Sequence, residues 1–298
     1  MRKIVSSLCV IAVLAGMLCG CAVHDIPENT SDSGKGDMSI VSTSVAICRI
    51  LDALEYDNVI GVPTTEKGIP ERYDQATAVG GAMNPDLEIV RQLDADLVLS
   101  PKTLENALAV QYSNAGVPSA FLDLSGVEGM YCAITSLGKL LNREDQAAVL
   151  LADYESYMAD YRQDKEEGPA VLLLMAFPDG FYLAASEDSY VGDLVRLAGG
   201  RNVYRDYQSD QEGFISINPE NMVQKNPDQI LVFAHYNEEA AFAYMEKEFA
   251  ENSAWSHYPA VQSGRVAYLP SEFFGMSANL SWTDGVEYLE PILYPGGK

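Results

Sequence analysis

The sequence predicts an α/β protein of two Rossmann-like lobes joined by a long rigid backbone helix, with a ligand cleft between the lobes. Three observations carry that expectation. Short apolar runs alternate with amphipathic stretches along the chain, the pattern of a mostly parallel sheet covered by helices. Gly80–Ser100 (GGAMNPDLEIVRQLDADLVLS) has an echo at Ile217–His235 (INPENMVQKNPDQILVFAH), so the two halves read as related units. Between the halves, Ala147, Leu151, Tyr154, Met158 and Tyr161 recur at spacings of three and four, one apolar stripe on a helix long for a globular domain.

Residues 1–21 read as an export signal rather than as part of the fold. Arg2 and Lys3 give the positive start, and Ile4–Leu18 is an apolar stretch too short to span a membrane permanently. It ends in Leu18-Cys19-Gly20-Cys21, the pattern of a bacterial lipobox, with Cys21 as the expected lipidated first residue. Two or three acyl chains hold a protein at a membrane firmly, where one binds only marginally. Residues 22–37, with Pro27, Ser31, Ser33, Gly34 and Gly36 and no apolar period, read as a flexible tether. His24 falls in it and is set aside from any site.

The formal net charge is −24, and losing Arg2 and Lys3 with the signal takes it to −26. Such a surface repels phosphate backbones, which argues against nucleic acid as a partner. Beyond Cys21 only Cys48 and Cys132 remain, both on helix-like stretches among apolar neighbours, and they read as buried free thiols. No Cys-x-x-Cys, Walker loop, Gly-x-Ser-x-Gly or His-Glu-x-x-His occurs. The residues give no recognisable catalytic signature.

The N-terminal lobe is expected over 38–125. Ile40–Ser42 and Val59–Val62 read as strands around a helix over Val45–Leu54, capped by Thr43 or Ser44. The loop over 63–78 has no clear period and carries Lys67, Arg72 and Tyr73. Met83 comes next, then a helix expected to open at Asn84-Pro85, since proline in the first turn loses no hydrogen bond. Leu97–Leu99 and Pro118–Leu122 read as strands around a helix over 103–115 that closes at Gly116. Connecting helices are expected over 126–167, the first capped by Ser125 and the second running from Arg143-Glu144 toward Lys165.

The C-terminal lobe is expected over 168–298, with strands at 170–175, 181–185, 230–232 and 265–269. Helices are expected over Glu187–Ala198, ended by Gly199-Gly200, over the acidic Glu238–Glu251, and over Leu280–Leu293. Aligning Asp96 with Asp228 puts Glu88 on Glu220, while the Asn-Pro pairs fall two residues out of register. Met83 lies just before one helix and His235 just after one strand, places where open α/β sheets hold ligands.

Spread over nearly the whole mature chain are Gly61–Tyr73 (GVPTTEKGIPERY), Met83-Asn84-Pro85-Asp86, Asn142-Arg143-Glu144 and Ser189–Val195 (SYVGDLV). Leu197–Gly200 (LAGG), Ala234-His235 and Phe274–Ala278 (FGMSA) complete the set. With these the chain resembles the substrate-binding lipoproteins of ABC importers that carry siderophores, corrinoids and heme, and within them the heme binders of the iron-regulated surface determinant type. The resemblance implies a lipid-anchored, extracytoplasmic protein that binds heme and delivers it to ABC permease subunits, with a cell-surface heme donor upstream. It implies iron held by Met83 and His235, and Glu88 and Glu220 as the acidic residues that dock to permease arginines. It implies no enzymatic activity.

The residue chemistry agrees, since thioether and imidazole are a recognised axial pair for heme iron. For the two propionates, the candidates are the N–H groups at the Asn84-Pro85 helix opening together with Lys67 and Arg72. Tyr73, Tyr182, Phe274 and Met276 are candidate pocket walls. The alternatives are a siderophore or corrinoid carrier on the same scaffold and a chelatase-like tetrapyrrole enzyme. A free Zn or Mn receptor is disfavoured, because only His235 and His257 remain as histidines.

Overall fold

A computed structural model of the chain describes residues 37–160, 168–207, 213–217 and 225–296. The expected signal, Cys21, most of the tether and Glu220 lie outside them. So do Tyr161 and the stretch over which the second connecting helix is expected to run on toward Lys165.

In the first lobe, β1 (Ile40–Ser42) and β2 (Val59–Val62) flank α1 (Val45–Ala53). Then come β3 (Thr77–Ala78), β4 (Gly80–Gly81), β5 (Asn84–Pro85), α2 (Leu87–Gln92), β6 (Leu97–Pro101), α3 (Glu105–Ala115) and β7 (Ser119–Leu122). The sheet order is β3-β2-β1-β6-β7, parallel throughout. Every residue of β1 and β6 is buried, as expected of strands covered on both faces.

The second lobe is built on β8 (Ala170–Ala176), β9 (Tyr182–Ala185), α6 (Tyr190–Leu197), β10 (Arg201–Asn202), β11 (Phe214–Ile215) and β12 (Gln229–Ala234). It ends with α7 (Glu238–Glu251), two short helices, β13 (Val266–Leu269) and α10 (Trp282–Leu293), where α8 (Ser253–Ser256) and α9 (Pro259–Gln262) are the short pair. The order is β11-β9-β8-β12-β13, with β10 beside β8. The sheet is parallel except at β9 and β11, which run antiparallel to their neighbours. The tight return from β8 to β9 through Gly180, at φ +90°, leaves no length for a crossover.

The two-lobe echo has a physical core. Asp96 accepts from both the backbone N and the Oγ of Ser39 at 2.8 Å, tying the start of β6 to the start of β1. Asp228 accepts from Ala170 N at 2.8 Å and ties β12 to β8 in the same way. Ile40 faces Leu97 and Val171 faces Gln229, so each Asp sits one residue ahead of the paired register. The repeated Asp staples the two central strands of its own lobe.

The connector is two helices, α4 (Val127–Leu140) and α5 (Glu144–Asp160). They reverse at Asn142, whose φ of +53° makes the turn. Near its start α5 meets lobe one, where Gln146 Nε2 donates to Glu55 Oε2 at 3.1 Å. Further along, Tyr157 packs edge-on to Trp282 of α10, centroids 4.6 Å apart, and Tyr154 stacks on Tyr131 of α4 at 4.3 Å. Trp282 Nε1 donates to the Tyr131 hydroxyl at 3.1 Å. One buried apolar cluster runs through both sheets and these helices, so the lobes share a continuous core.

Four local expectations need correcting, the first being that neither Thr43 nor Ser44 caps α1 with its side chain. The helix after Met83 does not open at Asn84-Pro85. Those residues form β5, paired antiparallel with β4, and Asp86 caps α2 by accepting from Glu88 N and Ile89 N at 3.0 and 3.1 Å. Ser125 does not cap α4 either, since its hydroxyl donates to Asp123 at 2.6 Å. Instead Asp193 on α6 reaches across from the second lobe and accepts from Val127 N at 2.8 Å. Cys48 is a buried free thiol, its pKa pushed up to about 11 by burial. Cys132, on a half-buried side of α4, is disulfide-bonded rather than free.

Candidate functional site

A cleft of about 590 Å³ opens between the lobes and draws its walls from both. Lobe one contributes the N-terminal turn of α1, the loop around Lys67, the tip of the β4–β5 hairpin and the residues after β6. Lobe two contributes Phe214, His235 and the segment from Ser271 to Asn279. The walls at the ends of β1, β6 and β12 obey the rule that ligands gather at the carboxyl ends of parallel strands.

Met83 sits in the two-residue loop between Gly81 and Asn84, which face each other in the hairpin. Gly80, at φ +92°, lets the chain fold back: a Cβ there would stand 3.0 Å from Asp86 N and 3.1 Å from Asn84 O. Thr64 N donates to Gly80 O at 2.8 Å and ties the hairpin to the neighbouring loop. A core methionine would be buried. This one is 57 % exposed and lines the cleft, so core packing does not account for it.

His235 follows β12 directly, and its backbone N donates to Ala176 O at 3.0 Å, extending the sheet by one step. Its ring leans on Phe177, centroids 4.9 Å apart, and is half-buried. Desolvation first, then the Lys67 charge, holds the imidazole below its ordinary pKa and favours the neutral form. Nδ1 is buried with no hydrogen-bond partner. The side chain therefore has no structural hydrogen bond to explain its place at the cleft.

Lys67 also lines the cleft, and its Nζ donates to Ser271 O at 3.4 Å on the opposite lobe. Ser271 N in turn donates to Glu238 at 2.6 Å. Desolvation and then Arg49 lower the Lys67 pKa, against the opposing pull of Glu238.

The other loop candidates fall away. Arg72 is turned back onto its own lobe, where it pairs with Asp52 at 2.7 Å and with Asp57. Those two carboxylates raise its pKa above the ordinary arginine range. Tyr73 is buried in the first lobe and its hydroxyl donates to Tyr56 O at 2.8 Å. Neither lines the cleft. Tyr182 packs on Trp255 away from it, and Phe274 is wholly buried, while Met276 does line it. Glu88 is exposed on the first turn of α2. The helix opening expected to serve the propionates falls away too, because Asn84-Pro85 is a strand and Asp86 accepts from Glu88 N and Ile89 N at the start of α2.

Two wall elements escaped the sequence reading. The first is the start of α1: Ser44, Val45 and Ala46 line the cleft, and Ser44 makes no side-chain capping bond. The second is Arg49, one turn further on. Arg49 and Lys67 make the wall cationic against Glu272 alone, in a chain of net charge −24. Among the described residues no group of three or more His, Cys, Asp or Glu side chains is placed to hold a metal ion. None of their helices is long and apolar enough to cross a membrane.

The chain is 33% identical over 299 residues to the high-affinity heme uptake system protein IsdE of Staphylococcus aureus, covering 99% of this chain and 100% of that one. An ABC transporter substrate-binding protein from Listeria monocytogenes superposes with a TM-score of 0.80 at 37% identity, over 88% of this chain and all of that one. S. aureus IsdE complexed with heme superposes equally well, TM-score 0.80 at 34% identity, over 87% of this chain and all of that one. Residues 40–273 match the family described as periplasmic binding protein. With the two-lobed fold and the cleft between its sheets, these matches show that the chain belongs to the periplasmic binding protein family.

Proposed function

We propose that this protein binds heme in the cleft between its lobes and delivers it to an ABC importer, with Met83 and His235 as the axial ligands of the iron. One observation carries the reading. The two side chains with no structural reason to be where they are, an exposed thioether and an imidazole without a hydrogen bond, line the same cleft from opposite lobes. Iron that arrives with four in-plane nitrogens needs only two more donors, which suits a site with one imidazole and no ligand cluster. Full-length likeness to a heme uptake protein and to a heme-bound structure supports the same cargo. A cleft near 590 Å³ falls within the ordinary range for small-molecule sites, roughly 300–1,000 Å³. Hemin titrated into the purified protein should give a sharpened, shifted Soret band that saturates at one equivalent. An unchanged spectrum, beside tight binding of a corrinoid or ferric siderophore, would overturn it.

The same reading places the protein outside the cytoplasmic membrane, held by lipid on Cys21. Cys21→Ala should lose membrane retention and palmitate-analogue labelling while binding hemin as the wild type does. Equal labelling of both proteins would refute the anchor. Handover would use Glu88 and Glu220 against cations on the permease, with a cell-surface protein as donor. Reversing both glutamates to Lys should slow heme transfer to the importer and leave the heme spectrum untouched, because rim charges act mainly on association. Transfer at the wild-type rate would reduce the pair to solvated surface.

A further inference from the structure

We propose that Arg49 sets the ligand class by holding a propionate carboxylate of the bound porphyrin, so that tetrapyrroles bearing neutral amide side chains are refused. The inference rests on the heme reading and adds to it the residue that separates heme from a corrinoid.

Arg49 lies on α1, lines the cleft and is exposed. Among the described residues Arg72, Arg143, Arg196 and Arg205 each meet a carboxylate, while Arg49, Arg91, Arg201 and Arg265 meet none, and of these four Arg49 alone lines the cleft. Carboxylates are not scarce in a chain with 43 Asp and Glu against 19 Lys and Arg. The cleft wall thus holds an unneutralised guanidinium in a strongly acidic chain. It stands close enough to Lys67 to lower the pKa of that ammonium, so two like charges share one wall. An anion bound between them relieves that repulsion, whereas a neutral amide leaves it.

The two cations differ in how they are held. Lys67 is engaged with Ser271 O of the other lobe, while the Arg49 fork is open. A guanidinium presents parallel N–H groups that match a carboxylate in two-point contact, a geometry an ammonium lacks. The helix that carries Arg49 is also fixed. Thr43 Oγ1 meets Ser100 Oγ at 2.8 Å, and Ser100 meets the Tyr112 hydroxyl at 3.1 Å, locking the start of α1 to the end of β6 and to α3. The guanidinium therefore projects from a rigid base into the cleft.

The test compares hemin, hemin dimethyl ester and cobinamide on the wild type, Arg49→Met and Arg49→Lys. Esterification removes the carboxylate charge and keeps the iron and the ring. The wild type should prefer hemin to its diester by roughly ten-fold, the size expected of one charge-assisted contact near solvent. Arg49→Met should lose that preference by weakening hemin alone, with an unchanged Soret position, and cobinamide should gain on hemin by the same factor. Arg49→Lys should recover part of the preference. If Arg49→Met keeps the wild-type preference, or weakens hemin and diester equally, the assignment of Arg49 is wrong while heme binding stands. A wild type that binds neither porphyrin overturns the heme reading and this assignment with it.

Discussion

His235→Ala should fold as the wild type does and fail to retain ferric heme, its affinity down by about a hundred-fold or more. Removing a group that only orients a metal ligand already costs about 10–100-fold, so losing the ligand belongs at or beyond the upper end. Folding should survive because the side chain makes no hydrogen bond and its Nδ1 is buried without a partner. Truncation removes ring contact with Phe177 and an unsatisfied polar atom together, two effects of opposite sign. Met83→Ala should behave differently. A thioether is a poor ligand for ferric iron and a better one for the softer ferrous ion, so the loss should be small in the oxidised protein and larger after reduction. Met83 is exposed at a hairpin tip, so stability should not change. Ferric and ferrous spectra of both variants, read beside their unfolding curves, decide the matter. Wild-type spectra in both states from both variants would end the axial assignment.

Much of the frame was legible because it rests on short-range pattern. Apolar runs such as Ile40–Ser42 and Val59–Val62 became strands at the expected residues, since only burial on both faces explains them. The echo was legible through Asp96 and Asp228, and the structure gives the reason: each staples a pair of central strands, a need that both lobes share. The Asn-Pro-Asp stretch misled because it holds two capping residues. The cap went to Asp86, and the two residues before it closed a hairpin that a helical reading cannot contain.

The loop after β2 was the hardest part. Nothing periodic fixes the path of Arg72 and Tyr73, and their destination depends on Asp52, Asp57 and Tyr56, which lie well before them in the chain. Arg49 was hidden for the opposite reason. A cation on an amphipathic helix reads as a solvated face, and α1 buries Ile47, Cys48, Ile50 and Leu51 around it. Its signal was positional: α1 begins at the carboxyl end of a central strand, where its first turns face a ligand whatever their hydropathy.

Gly192→Ala should destabilise the protein by about 3 kcal/mol or more, although alanine is the better helix former. Gly192 has ordinary helical backbone in α6, so conformational freedom does not explain it. A Cβ there would lie 2.0 Å from Ser186 O and 2.8 Å from Glu187 Cα, both backbone atoms of the turn before the helix. That turn cannot withdraw, because Ser186 O already accepts from the Ser189 hydroxyl at 2.7 Å and Ser186 N donates to Gly213 O at 2.7 Å. Helix propensity offers about 1 kcal/mol in favour of alanine, and the clash is several times larger. The displaced element also carries Asp193, whose bond to Val127 N joins the second lobe to the connector. Loosening α6 therefore disturbs the bond between the second lobe and α4 as well as a local turn. The loss should lower the melting temperature by roughly 6–12 °C in a chain of this size. Gly81→Ala, with nothing within 4 Å of the added carbon, should change it little. A Gly192→Ala protein as stable as the wild type would mean that Ser186 and α6 are not packed as closely as their contacts imply.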